Sequence, residues 1–172
     1  MRRKRKSPDS APDDHCGSHS SKTSPHEYGT VFAMTDSVIA QHEKLYRRWL
    51  FDLWYGDFAA AAEIFTPDFV GHWPSHEVHG PQAVADQIRQ SRALFSDIEN
   101  TLDVGPVISS GLCAARWTFH GSYLGGIPGT TATPGTRISF SGHDIFRVDN
   151  GRFAEYWVIS DSTGMMQQLG AV

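Results

Sequence analysis

In RISFSGHDIFRVDNGRFAEYWVIS, residues 137–160, apolar and polar side chains alternate on both sides of Asp149-Asn150-Gly151. A period of two is the signature of a half-buried β-strand. Asn and Gly tolerate positive φ, so the residues between the two runs predict a tight hairpin joining strands over 137–148 and 152–160. The first run places Phe140, Gly142, Asp144, Phe146 and Val148 on one face. Working outward, Leu112 to Leu124 predicts another long strand. Ile98, Leu102 and Val104 begin a further one, which Pro106 to Ser109 continue past a bend at Gly105.

Upstream the period becomes helical. Thr35 or Asp36 caps a first helix whose apolar positions are Ile39, Tyr46, Trp49, Leu50 and Leu53 and which ends before Gly56. Asp57 caps a short second helix that stops at Thr66-Pro67. An extended stretch from Asp68 to Trp73 leads through a Pro/His-rich loop into a third helix opened by Pro81, and a short helix over 162–169 closes the chain. Helices followed by consecutive antiparallel strands exclude a parallel βαβ sheet. They predict an α+β fold: a cone-shaped half-barrel of a curved, mostly antiparallel sheet, packed with three N-terminal helices and a short C-terminal helix.

Composition narrows the classes further. The chain has 172 residues, 40% of them hydrophobic, enough for one sizeable core. No run approaches the ~18–20 apolar residues of a bilayer span, so no membrane partner is expected. Residues 1–33 open with Arg-Arg-Lys-Arg-Lys at 2–6 and hold almost nothing large and apolar before Val31, which predicts a disordered leader before a globular domain over 34–172. No apolar segment follows the basic cluster, so it does not read as a secretion signal. The leader holds six of the 15 Lys and Arg but only four of the 19 Asp and Glu. The domain is therefore acidic, and nucleic acid is a poor partner for it. Cys16 and Cys113 have no disulfide or metal spacing, which fits a reducing cytoplasm.

The closing segment, "GGIP…TPGTRISFSGHDIFRVDNGRFAEYWVISDSTGMMQQLG", together with the earlier "FVGHWPSHEVHGPQAV", resembles the SnoaL-like polyketide cyclases of the ester cyclase group, within the nuclear-transport-factor-2-like superfamily. The resemblance covers about residues 36–170. It implies a barrel enclosing a hydrophobic cavity, a homodimer, and intramolecular aldol ring closure of a small hydrophobic, polyketide-type molecule without metal or organic cofactor. Limonene epoxide hydrolase shares the fold with different chemistry, so fold travels better than activity.

Aldol closure needs a base for a proton α to a carbonyl, and donors for the enolate and alkoxide. Asp144 shares its strand face with phenylalanines and a valine, surroundings that penalise its charge and raise its pKa. The resemblance places it where the cyclase has a strand histidine, and it is the expected principal acid/base. A nearby Arg116 is the expected partner of Asp144 or of a substrate carbonyl.

In "CAARWTFHGSY", Arg116, Thr118 and His120 alternate with Trp117 and Phe119. The residues alone put the aromatic face inward. Resemblance to limonene epoxide hydrolase reverses this, because Arg116 matches its cavity arginine and Thr118 falls where its acid would be. It makes His120 a candidate catalytic group and Arg116 and Thr118 cavity residues. His72, beside Trp73, falls where relatives place an Asn or His near the cavity mouth, and so is expected to relay protons. The spacing of His72, His76 and His79 would suit zinc on a helix, but Pro74 and Gly80 argue for a loop, and no metal is expected. On the last strand the family's Asp, two residues after Tyr156, is replaced by Val158. Tyr156, Val158 and Phe146 are the remaining expected ligand-contacting residues. Loss of that acid leaves open a non-catalytic carrier of hydrophobic ligands, or an epoxide hydrolase or isomerase of the same fold.

Overall fold

The computed structural model describes residues 35–109 and 111–171. The leader expected over 1–33 lies outside the described residues. Helix α1 (Asp36–Arg47) begins where Thr35 accepts a hydrogen bond from the Val38 amide, and it continues as a π-helical segment over Arg48–Leu53. A short 3₁₀ turn and α2 (Ala61–Ile64) follow, then β1 (Phe65–Trp73), β2 (His76–His79) and α3 (Gly80–Arg92). The long strands are β3 (Phe95–Ser109), β4 (Leu112–Tyr123), β5 (Arg137–Asp149) and β6 (Arg152–Ser160), and α4 (Ser162–Gln168) is last. Asp161 caps α4 by accepting from the Gly164 amide at 2.8 Å.

The six strands form one sheet in the order β2-β1-β6-β5-β4-β3, antiparallel throughout except for the β1–β6 pair. The chain thus has the α+β architecture of helices on a curved sheet. The β5–β6 turn has both central residues at positive φ, Asn150 at 47° and Gly151 at 75°, as a two-residue hairpin of this twist demands. The segment around His76, expected as a loop, is instead a hairpin, with His72 opposite Glu77 and Trp73 opposite His76. Its polar outer face hides the alternation, and Pro74 is harmless because it sits in the connection.

Helices and sheet meet over an aromatic core. Trp49 makes edge contacts with Phe65, Phe146 and Tyr156, while Phe146 stacks on Phe153 at 3.9 Å and on Tyr156 at 4.4 Å. Such pairs contribute roughly 0.5–1.5 kcal/mol each beyond burial. The opposite face of the sheet leaves Ile145, Trp157 and Ile159 exposed.

Gly142 lies opposite Trp117 in the β4–β5 ladder. A Cβ there would run into the Trp117 ring and would meet the backbone oxygen of Ile159 at 2.8 Å. Gly142→Ala is therefore expected to lower stability by about 1–3 kcal/mol. The readout is the midpoint of urea unfolding at unchanged slope; an unaltered midpoint would mean that the indole is free to move aside.

Candidate active site

Asp144 lies on the inner face of β5, 1% exposed. Burial raises its pKa, and the indole and phenol donors of Trp117, Trp49, Tyr156 and Tyr46 oppose that shift. Three of these donors reach it. Tyr46 Oη and Trp49 Nε1 both donate to Oδ2 at 3.0 Å, and Tyr156 Oη donates to Oδ1 at 2.8 Å. The Trp117 indole adds the largest of the contributions that oppose the rise. Helical spacing brings Tyr46 and Trp49 to one side of the carboxyl, and strand parity brings Tyr156 to the other. Burial and the neighbouring carboxyl in turn push both tyrosines above the usual phenol range. Cys113, across the ladder from Phe146, is fully buried, and its thiol is pushed up to about 12 by burial and by Asp144.

Asp144 and Tyr156 also form part of the wall of a cavity of about 230 Å³. Its apolar surfaces come from Trp49, Trp54, Trp73, Trp117, Phe119 and Val158. Val158 stands directly across the β5–β6 ladder from Asp144. Beyond the sheet, Ile127 from the β4–β5 connection and Met165 from α4 complete the enclosure. That connection is bound in place: the amides of Thr131 and Ala132 donate to Leu169 O, each at 3.0 Å, and the Ile127 amide donates to Tyr123 Oη at 2.8 Å.

Of the residues singled out in the sequence, the structure gathers Asp144, Tyr156, Val158 and Trp73 around this space, with Phe146 packed beneath the carboxyl as core. It places His72, His120, Arg116 and Thr118 elsewhere. Trp117 and Phe119 face the cavity, and the two-residue period of β4 then puts Arg116, Thr118 and His120 on the outer face. There Arg116 forms an ion pair with Asp103, not with Asp144, and donates to Ser141 Oγ at 3.1 Å. Thr118 Oγ1 donates to Asp103 at 2.6 Å. The Asp103 carboxyl is held below the usual range, first by Thr118 and also by Thr101 and Arg116. The alternation alone had the faces of β4 correctly; the correspondence with an epoxide hydrolase reversed them.

His72 follows the same rule, since Trp73 takes the inward position on β1. Its Nδ1 meets Glu77 Oε1 and its Nε2 meets Glu155 Oε1, both at 3.0 Å, and its ring stacks on Trp157. Arg147 also donates to Glu155 at 3.1 Å, and His79 lies 3.4 Å from Glu77. When protonated, the ring donates to a carboxylate at each nitrogen and is an ionic strap across β2, β1 and β6; its pKa is raised, above all by Glu155 and also by Glu77. Among the described residues no group of three or more His, Cys, Asp or Glu is gathered for a metal ion.

Sequence reasoning missed Trp49 and Asn100 as cavity groups and Tyr46 as a donor to Asp144. Tyr46 and Trp49 counted only as apolar positions of a helix, although both carry donors that must find partners once buried. For Asn100 the sequence offered only an amide within a strand-like run, a residue type depleted in strands; its 6% exposure is a fact of the fold.

Residues 43–169 match the family model described as SnoaL-like polyketide cyclase. Among solved structures, TsrD from Streptomyces laurentii is 28% identical with a TM-score of 0.68, covering 81% of this chain and 100% of TsrD. Wild-type IdmH from Streptomyces antibioticus is 24% identical with a TM-score of 0.64, over 74% of this chain and 96% of its own. A SnoaL-like protein from Jannaschia sp. CCS1 shares the fold at 16% identity and a TM-score of 0.70, over 81% and 99%. A comparison with curated proteins returns no match.

The strap at His72 sets a pH dependence. A histidine whose folded pKa is raised contributes stability that is fully present below its unfolded value, about 6.5, and lost as pH rises through the folded value. Glu155, whose carboxyl is held down first by His72 and then by Arg147, remains charged in that window. His72→Gln should therefore destabilise most near pH 5.5 and much less at pH 8.5, as read by thermal unfolding at the two values. Equal losses at both would mean that the ring is not protonated at the lower pH.

Proposed function

The chain belongs to the SnoaL-like polyketide cyclase family, and we propose that it uses acid/base chemistry at Asp144 to close a ring in a hydrophobic, polyketide-type carbonyl compound by intramolecular aldol condensation. The observation that carries this reading is a fully buried carboxyl, held by neutral donors alone, on the wall of an aromatic cavity. A carboxylate offers about four acceptor positions. Tyr46 and Trp49 fill both on Oδ2, whereas Oδ1 accepts only from Tyr156.

In the proposed reaction, Asp144 removes a proton from the carbon α to a carbonyl, and the C–H electron pair becomes an enolate. The enolate carbon bonds to a second carbonyl carbon of the same molecule, whose π electrons move to oxygen. Asp144, now neutral, returns its proton to that alkoxide, so the product is an isomer of the substrate. Tyr156, which lines the cavity, donates to whichever of the carboxylate and the substrate oxygen bears the charge. Tyr46 and Trp49 are positioning residues behind the carboxyl. The raised pKa of Asp144 suits the double task, because it strengthens the base and moves the acid toward the working range. The family resemblance implies an acid at the place of Val158. Since Val158 is the cross-strand neighbour of Asp144, the carboxyl here approaches the same end of the cavity from the adjoining strand.

The second reading, a carrier of hydrophobic ligands, is favoured by the three donors that already occupy Asp144 and by the apolar Val158. Epoxide hydrolysis has less support, because Arg116 and Thr118 face away from the cavity. Pairing of two copies, which the family resemblance implies, would cover the exposed Ile145, Trp157 and Ile159 on the outer sheet face; sedimentation of a purely monomeric species would remove it.

A panel of aromatic polyketides and terpenoid epoxides, followed for binding and for product, separates the readings. Cyclisation of a bis-carbonyl compound is expected, and Asp144→Asn should lower kcat by about 10²–10⁴-fold while ligand affinity changes little. Unchanged turnover in that variant would remove Asp144 from the chemistry. Binding without conversion across the panel would favour the carrier.

A further inference from the structure

The cavity has a second polar pole. Asn100 is buried in β3, across the ladder from Phe119, and both residues line the same space as Asp144. The residue is fixed at two points, one through its side chain and one through its backbone. Nδ2 donates to Leu50 O at 3.0 Å, and its own backbone amide donates to Tyr55 Oη at 3.2 Å. Leu50 belongs to the π-helical segment that continues α1, where the ladder of helical bonds is widened and a carbonyl can be spared for a side chain. The preceding residue, Trp49, supplies a donor to Asp144. Two consecutive residues of one π-turn therefore hold two polar groups of the cavity, Trp49 the carboxyl and Leu50 the amide.

Nδ2 gives one of its two N–H groups to Leu50 O, which leaves Asn100 a second N–H and the acceptor Oδ1. Among the described residues nothing donates to it. Nor is it among the sealed polar atoms lacking a partner, which are His42 Nδ1 and Thr66 Oγ1. Asn100 is only 6% exposed and lines the cavity. A buried carbonyl oxygen without a donor is costly, so the site gains most from a guest that brings one.

We propose that Asn100 is a specificity-determining residue whose Oδ1 accepts a hydrogen bond from a hydroxyl group of the ligand, so that the cavity selects hydroxylated, phenol- or enol-bearing apolar compounds over their deoxy or alkyl counterparts. The inference rests on the cavity being the ligand site and is independent of turnover. It would hold for a carrier as well as for a cyclase.

The test is calorimetric titration of the purified full chain with 1-naphthol and with 1-methylnaphthalene, in which a methyl replaces the hydroxyl. The ratio of the two affinities is compared between the wild type, Asn100→Leu, Asn100→Ser and His120→Gln, a change on the outer face of β4. The expected result is a loss of roughly tenfold in hydroxyl preference in the Asn100 variants, with the preference retained in His120→Gln. No hydroxyl preference in the wild type, or an unchanged ratio in a folded Asn100 variant, would overturn the assignment. Should both Asn100 variants fail to fold, the wild type decides by ¹H–¹⁵N spectra. The Asn100 side-chain NH₂ pair should shift with 1-naphthol and not with 1-methylnaphthalene, and equal shifts, or none, would refute it. A panel without turnover leaves this outcome unaffected, so the two ideas fail separately.

Discussion

One carboxyl group organises the interior. Asp144 draws a phenol and an indole from the first helix and its π-helical continuation, and a phenol from the last strand, across sequence separations of 98, 95 and 12 residues. A buried carboxylate costs several kcal/mol unless its oxygens are occupied. The three donors offset that cost, and in doing so they fix where the helix lies over the sheet. The rings that carry them are also the rings of the core, Trp49 against Phe146 and Tyr156 against Phe146. Packing and polar satisfaction are thus met by the same side chains, so neither can be relaxed without the other.

This double use explains what the sequence disclosed. The two-residue alternation of 137–160 and its Asn-Gly turn made the β5–β6 hairpin and the inward face of Asp144 legible, because parity follows from strand geometry alone. The same reasoning correctly faced Trp117 and Phe119 inward on β4. It went astray where correspondence with an epoxide hydrolase was allowed to outrank burial, which is how His120 and Arg116 were brought into a cavity they face away from. His72 failed for a related reason, since its role came from an analogous position while its neighbour Trp73 held the inward parity. The donors of Asp144 were illegible because they depend on how a helix is rotated over a sheet nearly a hundred residues away. No local pattern reports that rotation, and the π-helical turn that adjusts it carries no recognised sequence signal.

The two faces of the sheet divide the charged and neutral chemistry. On the inner face every polar contact of Asp144 is with an uncharged group, which leaves its proton affinity open to whatever enters the cavity. On the outer face Arg116 pairs with Asp103, and His72 and Arg147 pair with Glu155, so that each charge is balanced near solvent. Such exposed pairs contribute only modestly to stability. A cation placed inside beside Asp144 would have lowered its pKa and removed the property on which acid/base chemistry depends.

The connection between β4 and β5 is tethered to the end of α4 through Leu169 O, and Ile127 and Met165 enclose the cavity from these two non-strand segments. The enclosing side can therefore be lengthened, shortened or recoloured without touching the ladder that keeps Asp144 in place. A lineage built on this plan can diversify its guests by editing two short pieces of chain in concert, while the durable part of the molecule is inherited intact.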